Sequence, residues 1–417
     1  MVEDLRSWAS RDERAIWQEY CGFLDLGISE FMALQEKLLR EQLGVLEGSV
    51  VGKKFLGERV PSSIEEFQAR VPFTRYEDYA PWLMEKREDV LPAPVFCWAH
   101  TAGTTDTFKW IPYTRGMYSQ QQRRMLSWAI IAASDGYGQV NLSPGDTILY
   151  GVAPPPYISG IFYEAFINGF GFNSLPSMQD GSGMEFPERV RVGLLKGLEA
   201  GIDIFAGLSS VLVKVGESFS QRGMGLRGVL LRPKLLYKLF RAKLKSKFQN
   251  RELLPRDLWR LKSIGSYGMD TFIYRNRIEY FWGRKPTETY ISTESGMISL
   301  QTWNHKGLIF LPDSVFLEFI PEEEFNKNAA DPSWHPEAFC LSEVEPGARY
   351  EVVITNFHGG CLIRYRMGDF IRILSAQERE EGIPCPQMVF EARCDEIIDI
   401  AGFTRLTERV IWQSLED

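Results

Sequence analysis

Cysteine is sparse and unpaired in this chain: six residues, Cys21, Cys97, Cys340, Cys361, Cys385 and Cys394, are scattered with no Cys-x-x-Cys among them. That excludes a disulfide framework as the organising principle and leaves free thiols suited to a reducing cytosol. Histidine is scarcer still, and the four residues, His100, His305, His335 and His358, have no zinc-ligand spacing. There is no surplus of positive charge, since 47 Lys and Arg face 55 Asp and Glu for a net charge of −8. Nucleic acid is therefore disfavoured as the main partner. Apolar runs are broken by charges well short of a bilayer's thickness, so no transmembrane segment is expected. The first seventeen residues are acidic and polar where a secretion signal is basic and then apolar, and a cytoplasmic location is the expectation. Internal repeats and low-complexity segments are also lacking.

What remains is a globular composition, 44% hydrophobic and 13% aromatic over 417 residues, too long for one compact core. Residues 1–90 read as a helical scaffold, with Ser10-x-x-Glu13, Ser63-x-x-Glu66 and Thr74-x-x-Glu77 as capping boxes and Phe31, Leu34, Leu38 and Leu39 on one face. Residues 91–310 read as an α/β core, with a helix from Gln120 to Ala133, a strand from Asp146, a helix from Pro187 to Ala200 and a strand from Ile202. Strand-like segments at Ser314–Ile320, Tyr350–Thr355, Cys361–Arg366 and Phe370–Leu374 make 311–392 a β-rich, barrel-like subdomain. The fold class is α/β, with helices packed on mixed sheets. Arg232 to Phe248 is basic and amphipathic, compatible with a membrane surface or an acidic partner, but the acidic chain as a whole favours a solvated surface helix.

The stretch from Trp98 to Tyr118 carries Gly103, Thr104 and Thr105, followed by Lys109. Small and hydroxylated residues let backbone amides and hydroxyls turn around an anion, and a nearby lysine neutralises phosphate. Four segments follow it in order. Ser266 to Met269 holds Gly268 at a strand end, a turn that lets a flat ring approach the backbone. Tyr290-Ile-Ser-Thr293-Glu294 offers a ring for stacking, a hydroxyl for phosphate and a carboxylate for magnesium. Tyr365-Arg366-Met-Gly368-Asp369, between two strands, places a carboxylate that accepts from ribose hydroxyls. The last runs from Arg393 through Asp395 to Glu408. Each segment alone is also ordinary structure: a strand end, a turn, a surface ion pair. Their order and context are much harder to explain by chance.

Together these segments resemble the superfamily of adenylate-forming enzymes: acyl-CoA ligases, luciferases and peptide-synthetase adenylation domains. The finer resemblance is to the auxin-responsive, Gretchen-Hagen-type acyl acid amido synthetases, over roughly Pro72 to Glu408. The resemblance implies that Gly103, Thr104, Thr105 and Lys109 embrace a triphosphate. Tyr290 then flanks adenine, with Gly268 beside the nucleotide, Thr293 meets the α-phosphate, and Glu294 holds Mg²⁺. It also implies that Asp369 binds ribose, Arg393 approaches ATP or AMP, and Asp395 is a hinge. The implied reaction is ATP-dependent adenylation of a small carboxylic acid and its transfer to an amino acid or other amine. Transfer to CoA is one alternative, and a nucleotide-binding module without turnover is another. Two departures stand out: Ala102 and Asp106 replace a hydroxyl residue and a glycine in the loop, and the chain stops at Asp417, where the family continues into a C-terminal domain. The expectation is a truncated chain, 393–417 being hinge and stub, that binds ATP and adenylates slowly.

Overall fold

The computed structural model describes residues 8, 10–101, 108–222, 233–267, 271–377, 382–394, 398–400 and 404–406. The strands in chain order are β1 (Val95–His100), β2 (Trp110–Thr114), β3 (Thr147–Leu149), β4 (Asn173–Leu175), β5 (Ile204–Leu208), β6 (Ser263–Tyr267), β7 (Thr287–Ser292) and β8 (Gly296–Gln301). They continue with β9 (Leu308–Phe310), β10 (Val315–Pro321), β11 (Arg349–Asn356), β12 (Tyr365–Ser375), β13 (Gln387–Arg393), β14 (Ile398–Ile400) and β15 (Thr404–Leu406). Among the described residues, eleven of these form one mixed sheet in the order β10-β11-β12-β13-β9-β8-β7-β6-β5-β3-β4. From β4 to β7 neighbours run parallel, and from β7 to β10 they run antiparallel. The β-rich part is thus the antiparallel half of the sheet that also carries the α/β part.

Helices cover both faces. The helix Arg115–Ala133 starts at Thr114, whose hydroxyl accepts from Met117 N. It packs on β6 and β8 beneath the helix Ile158–Phe170. On the opposite face, Phe186–Ala200, Ser209–Arg222 and Thr271–Trp282 bury a second core that includes Phe205, Leu212, Ile264 and Trp282. Alternation along β6 explains the division: Gly265 lies against Trp128 on one side, while Ser266 Oγ meets Ser209 Oγ on the other at 2.6 Å.

Several local expectations change. The first helix, Glu13–Cys21, has Asp12 as its N-cap in place of the expected Ser10, the Asp12 carboxylate accepting from Ala15 N. Ser63 does cap Ile64–Arg70, but the Glu66 carboxylate accepts from Ser62 N. At Thr74 the box fails because its hydroxyl donates to Ile363 O; the helix starts at Tyr76, and Arg75 N donates to Asp78. The segments Cys361–Arg366 and Phe370–Leu374 were expected as two strands. They are largely one, β12, running straight through Tyr365 to Asp369, while Cys361 to Ile363 are buried outside any strand. Gly368, at φ +70, lets the strand absorb its irregular register without breaking.

Candidate active site

The cavity that organises the molecule lies at the carboxyl ends of β5, β6 and β7, where open α/β sheets bind ligands. It encloses about 430 Å³ and is walled by Trp128, Phe162, Tyr163, Leu208, Ile291 and Met297, among others. Backbone stands close here because Gly265 has no side chain: a Cβ there would meet Trp128 Cζ2 at 2.1 Å. His100, the last residue of β1, sits at the rim, packed edge-on against Tyr157 and Trp110 at 4.3 and 5.2 Å between ring centres. A smaller, more polar cavity of about 190 Å³ adjoins it, lined by Glu288, Tyr290, Leu308, Asp369, Phe390 and Arg393. Thr289, Ile291 and Ser292 of β7 line both. One strand is therefore the wall between an apolar chamber and a polar one.

Three turn residues after β7 are held by neighbours. The Tyr113 hydroxyl donates to Thr293 O at 2.8 Å, Asn356 Nδ2 donates to Glu294 O at 3.0 Å, and Ser295 N donates to Ser292 Oγ at 3.0 Å. Thr293 lines the apolar cavity, while Glu294 is half-buried. The hydroxyls of Tyr76, Tyr113, Tyr290 and Tyr365 are all raised above the ordinary tyrosine pKa, by burial first and by the Glu294 charge among the further causes. The Glu294 carboxylate thus lies within electrostatic range of four phenol groups, each held in its neutral form chiefly by burial.

Asp369 and Tyr290 were expected to have separate duties. The structure joins them: the Tyr290 hydroxyl donates to Asp369 Oδ2 at 2.6 Å, with both residues buried. Tyr290 also packs edge-on against Phe390, 5.7 Å between centres, so the polar chamber has an aromatic corner. Arg393 is exposed and pairs across the strands with Asp369. Lys109 Nζ stands 5.3 Å over the Tyr76 ring, and the same Tyr76 feels the Glu294 carboxylate. Lys109, Thr293, Glu294, Tyr290, Asp369 and Arg393 are thus linked through common neighbours. Gly103, Thr104, Thr105, Ala102, Asp106, Gly268, Asp395 and the segment 407–417 lie outside the described residues.

The sequence reading missed Tyr76, Tyr113 and Asn356. Tyr113 falls inside the stretch from Trp98 to Tyr118, and Asn356 directly follows the strand-like segment Tyr350–Thr355, so the signal was position in or beside those segments. Tyr76 had been assigned to scaffold. Among the described residues no group of three acidic, histidine or cysteine side chains forms a metal cage. A single half-buried carboxylate, Glu294, does fit Mg²⁺ that arrives with phosphate ligands of its own, the usual arrangement for nucleotide-bound magnesium.

Two family models match the chain: the GH3 family N-terminal domain over residues 23–178 and the GH3 family central domain over 308–393. The chain is 46% identical over 112 residues to a jasmonoyl–L-amino acid synthetase, GH3.5, of Oryza sativa subsp. japonica, covering 26% of this chain and 18% of that protein. It is 33% identical over 107 residues to the indole-3-acetic acid-amido synthetase GH3.2 of Arabidopsis thaliana, covering 24% and 19%. The match thus spans about a fifth of the length of these curated relatives. Among solved structures, the acyl acid amido synthetase AtGH3.15 in complex with 2,4-DB aligns with a TM-score of 0.70 at 18% identity, over 97% of this chain and 75% of that one. An open conformation of 2-hydroxyisobutyryl-CoA ligase with 2-HIB-AMP and CoA aligns with a TM-score of 0.62 at 16% identity, over 94% and 81%. These likenesses establish the adenylate-forming fold. With both family domains matched in order along one sheet, the chain belongs to the GH3 family.

Proposed function

We propose that this protein activates a small carboxylic acid with ATP and passes the acyl group to an amine, an amino acid by preference, as an amide. The observation that carries the reading is β7 standing between an apolar and a polar cavity and leading into the turn Thr293-Glu294. A carboxylic acid with an apolar body fits one side and a nucleoside the other, and their reacting groups meet at the turn. Chemically, a carboxylate oxygen forms a bond to the α-phosphorus as pyrophosphate leaves. The amine nitrogen then attacks the acyl carbon, AMP departs, and the amine gives up a proton. The acid is already ionised at neutral pH, so no side-chain nucleophile is required and positioning supplies the catalysis.

In this reading Asp369 accepts from ribose hydroxyls, the aromatic corner of Tyr290 and Phe390 receives the base, and Thr293 meets the α-phosphate. Lys109 and the loop Gly103-Thr104-Thr105 take the outer phosphates, Gly268 and Arg393 border the nucleotide, and Asp395 is a hinge. Mg²⁺ held by Glu294 supplies charge neutralisation for the phosphates. The names of the relatives, an indole-3-acetic acid-amido synthetase and a jasmonoyl–L-amino acid synthetase, support an amine acceptor and an acid with an apolar body. The test is acid-dependent ATP–pyrophosphate exchange over a panel of aryl and alkyl acids, then AMP release with amino acids against CoA. Exchange with amino-acid-dependent release is expected. Release dependent on CoA makes the protein a thioester ligase, and ATP binding without exchange makes it a binding module.

A further inference from the structure

The segment Arg232 to Phe248 was expected to be a solvated basic surface helix; the helix Pro233–Phe248 does lie at the surface, and its outer face also carries an apolar row. Leu235, Ala242 and Ser246 are buried, which fixes that side of the helix against the second core. On the opposite side Leu236, Tyr237, Phe240, Leu244 and Phe248 stand open to solvent, with Tyr237 63%, Phe240 65% and Phe248 83% exposed. Leu236, Phe240, Leu244 and Phe248 recur every four residues and make one continuous row along the helix. Scattered exposed apolar residues are normal, but an aligned row of this kind on one helix marks an interaction surface.

The charges say what kind. The helix carries five lysines, 234, 238, 243, 245 and 247, with Arg241 and no acidic residue, in a chain of net charge −8. At 100° per residue, Lys243 and Lys247 border the apolar row on one side and Arg241 and Lys245 border it on the other. Lys238 is turned inward, its Nζ donating to Leu198 O at 3.1 Å. Beyond Lys245 the adjoining surface adds Arg256 and Arg260, while nearby Asp257 is taken up by Arg251 at 2.6 Å; Glu252 lines the same cleft as Lys247. A row of Phe, Leu and Tyr between two lines of long-stemmed cations is the layout of a helix lying in a membrane interface, with ammonium groups reaching back to headgroups. Along the apolar row itself the residues face solvent, with Phe240 and Phe248 the most exposed, and on the helix lysines outnumber the single arginine.

We propose that this helix docks the protein on an anionic lipid surface, burying Phe240, Leu244 and Phe248 among acyl chains while the flanking cations pair with headgroups. This is peripheral attachment: no described helix is long and apolar enough to cross a membrane. The test is flotation of the full chain with vesicles of phosphatidylcholine alone and with about a third phosphatidylserine, at about 0.1 and 0.5 M salt. Binding is expected only to the anionic vesicles, weaker at high salt. Phe240→Ser with Phe248→Ser should abolish it, and Lys243→Gln with Lys247→Gln should weaken it on the order of tenfold or more. Both side-chain pairs are exposed, so circular dichroism and the unfolding midpoint of the variants should match the parent. No binding to anionic vesicles, or binding that survives the serine variants, overturns the proposal. A dimer or heteromer that dissolves on Phe240→Ser and Phe248→Ser while vesicles are ignored overturns it in favour of a protein partner.

Discussion

At the scale of single residues, the site consists of carboxylates made specific by what surrounds them. Glu294→Gln keeps the turn, because Asn356 holds the backbone carbonyl and not the side chain. Under the proposed function it should slow pyrophosphate exchange by roughly 100-fold or more, the loss expected for a magnesium ligand. Asp369→Ala should weaken ATP binding by about 1.5–3 kcal/mol in titration calorimetry. Gly265→Ala tests the cavity from the other side: the added Cβ pushes against Trp128, at a cost of about 1–3 kcal/mol in stability. Bulky aryl acids should lose more kcat/KM than short alkyl acids in that variant. A pH effect belongs to His305, whose imidazole burial, with the charges of Arg275 and Lys285, lowers to about 4. The unfolded chain binds that proton near its ordinary value, so stability is intact above about pH 6.5 and falls as pH drops towards 4. Allowing for partial exposure, the loss is about 1–2 kcal/mol. His305→Asn, which accepts the left-handed backbone at φ +56, should flatten that part of the urea-unfolding profile between pH 7 and 5.

At the scale of elements, the helix Ile28–Glu47 shows why part of the structure escaped the sequence reading. Its buried face is not purely apolar, since Gln35 and Gln42 lie on it with Phe31 and Leu39. Gln35 accepts from Leu317 N at 2.9 Å and donates to Val315 O at 2.9 Å, while Gln42 accepts from Gly359 N and donates to Gly360 O, both at 2.8 Å. A glutamine at a core position reads as polar in any periodicity, and the loop backbone it satisfies is hundreds of residues away. Gln42→Leu leaves that amide and carbonyl unsatisfied and should cost about 1–3 kcal/mol in urea unfolding. The same limit explains β12. Its two ends read as separate strands because Met-Gly-Asp is turn-like, and only pairing to β11 and β13 carries the backbone through. By contrast, the Thr293-Glu294 turn, the helix Phe186–Ala200 and the parallel strands were legible, since each is written in local turn, cap or apolar patterns.

At the scale of the whole molecule, the helical first ninety residues are clamped to the antiparallel half by a buried ion pair. Arg364 donates to Glu318 at 2.9 Å and to the carbonyls of Gln68 and Val71, with its guanidinium 4.0 Å over the Phe73 ring. Arg364→Met strands Glu318, a fully buried carboxylate, and should lower stability by about 3–5 kcal/mol. Adding Glu318→Met should restore a large part of that loss, and a double-mutant cycle by chemical denaturation measures the coupling. The fold class was readable because strands and helices alternate. The joining of both halves in one sheet was not, since pairing of β9 with β13 leaves no trace in either segment.

That pairing also sets a timetable. As the chain leaves the ribosome, β3 to β8 can assemble with their helices, but β9 at Leu308–Phe310 waits for Gln387–Arg393 before its second edge is covered. The helix Ile28–Glu47, made almost first, waits until Leu317 and Gly359 emerge before Gln35 and Gln42 find their partners. Until then the nascent protein holds an open strand edge and an uncovered helix face, both of which invite wrong association. Slow elongation after β8 prolongs that interval, and a chaperone that shields β9 shortens its risk.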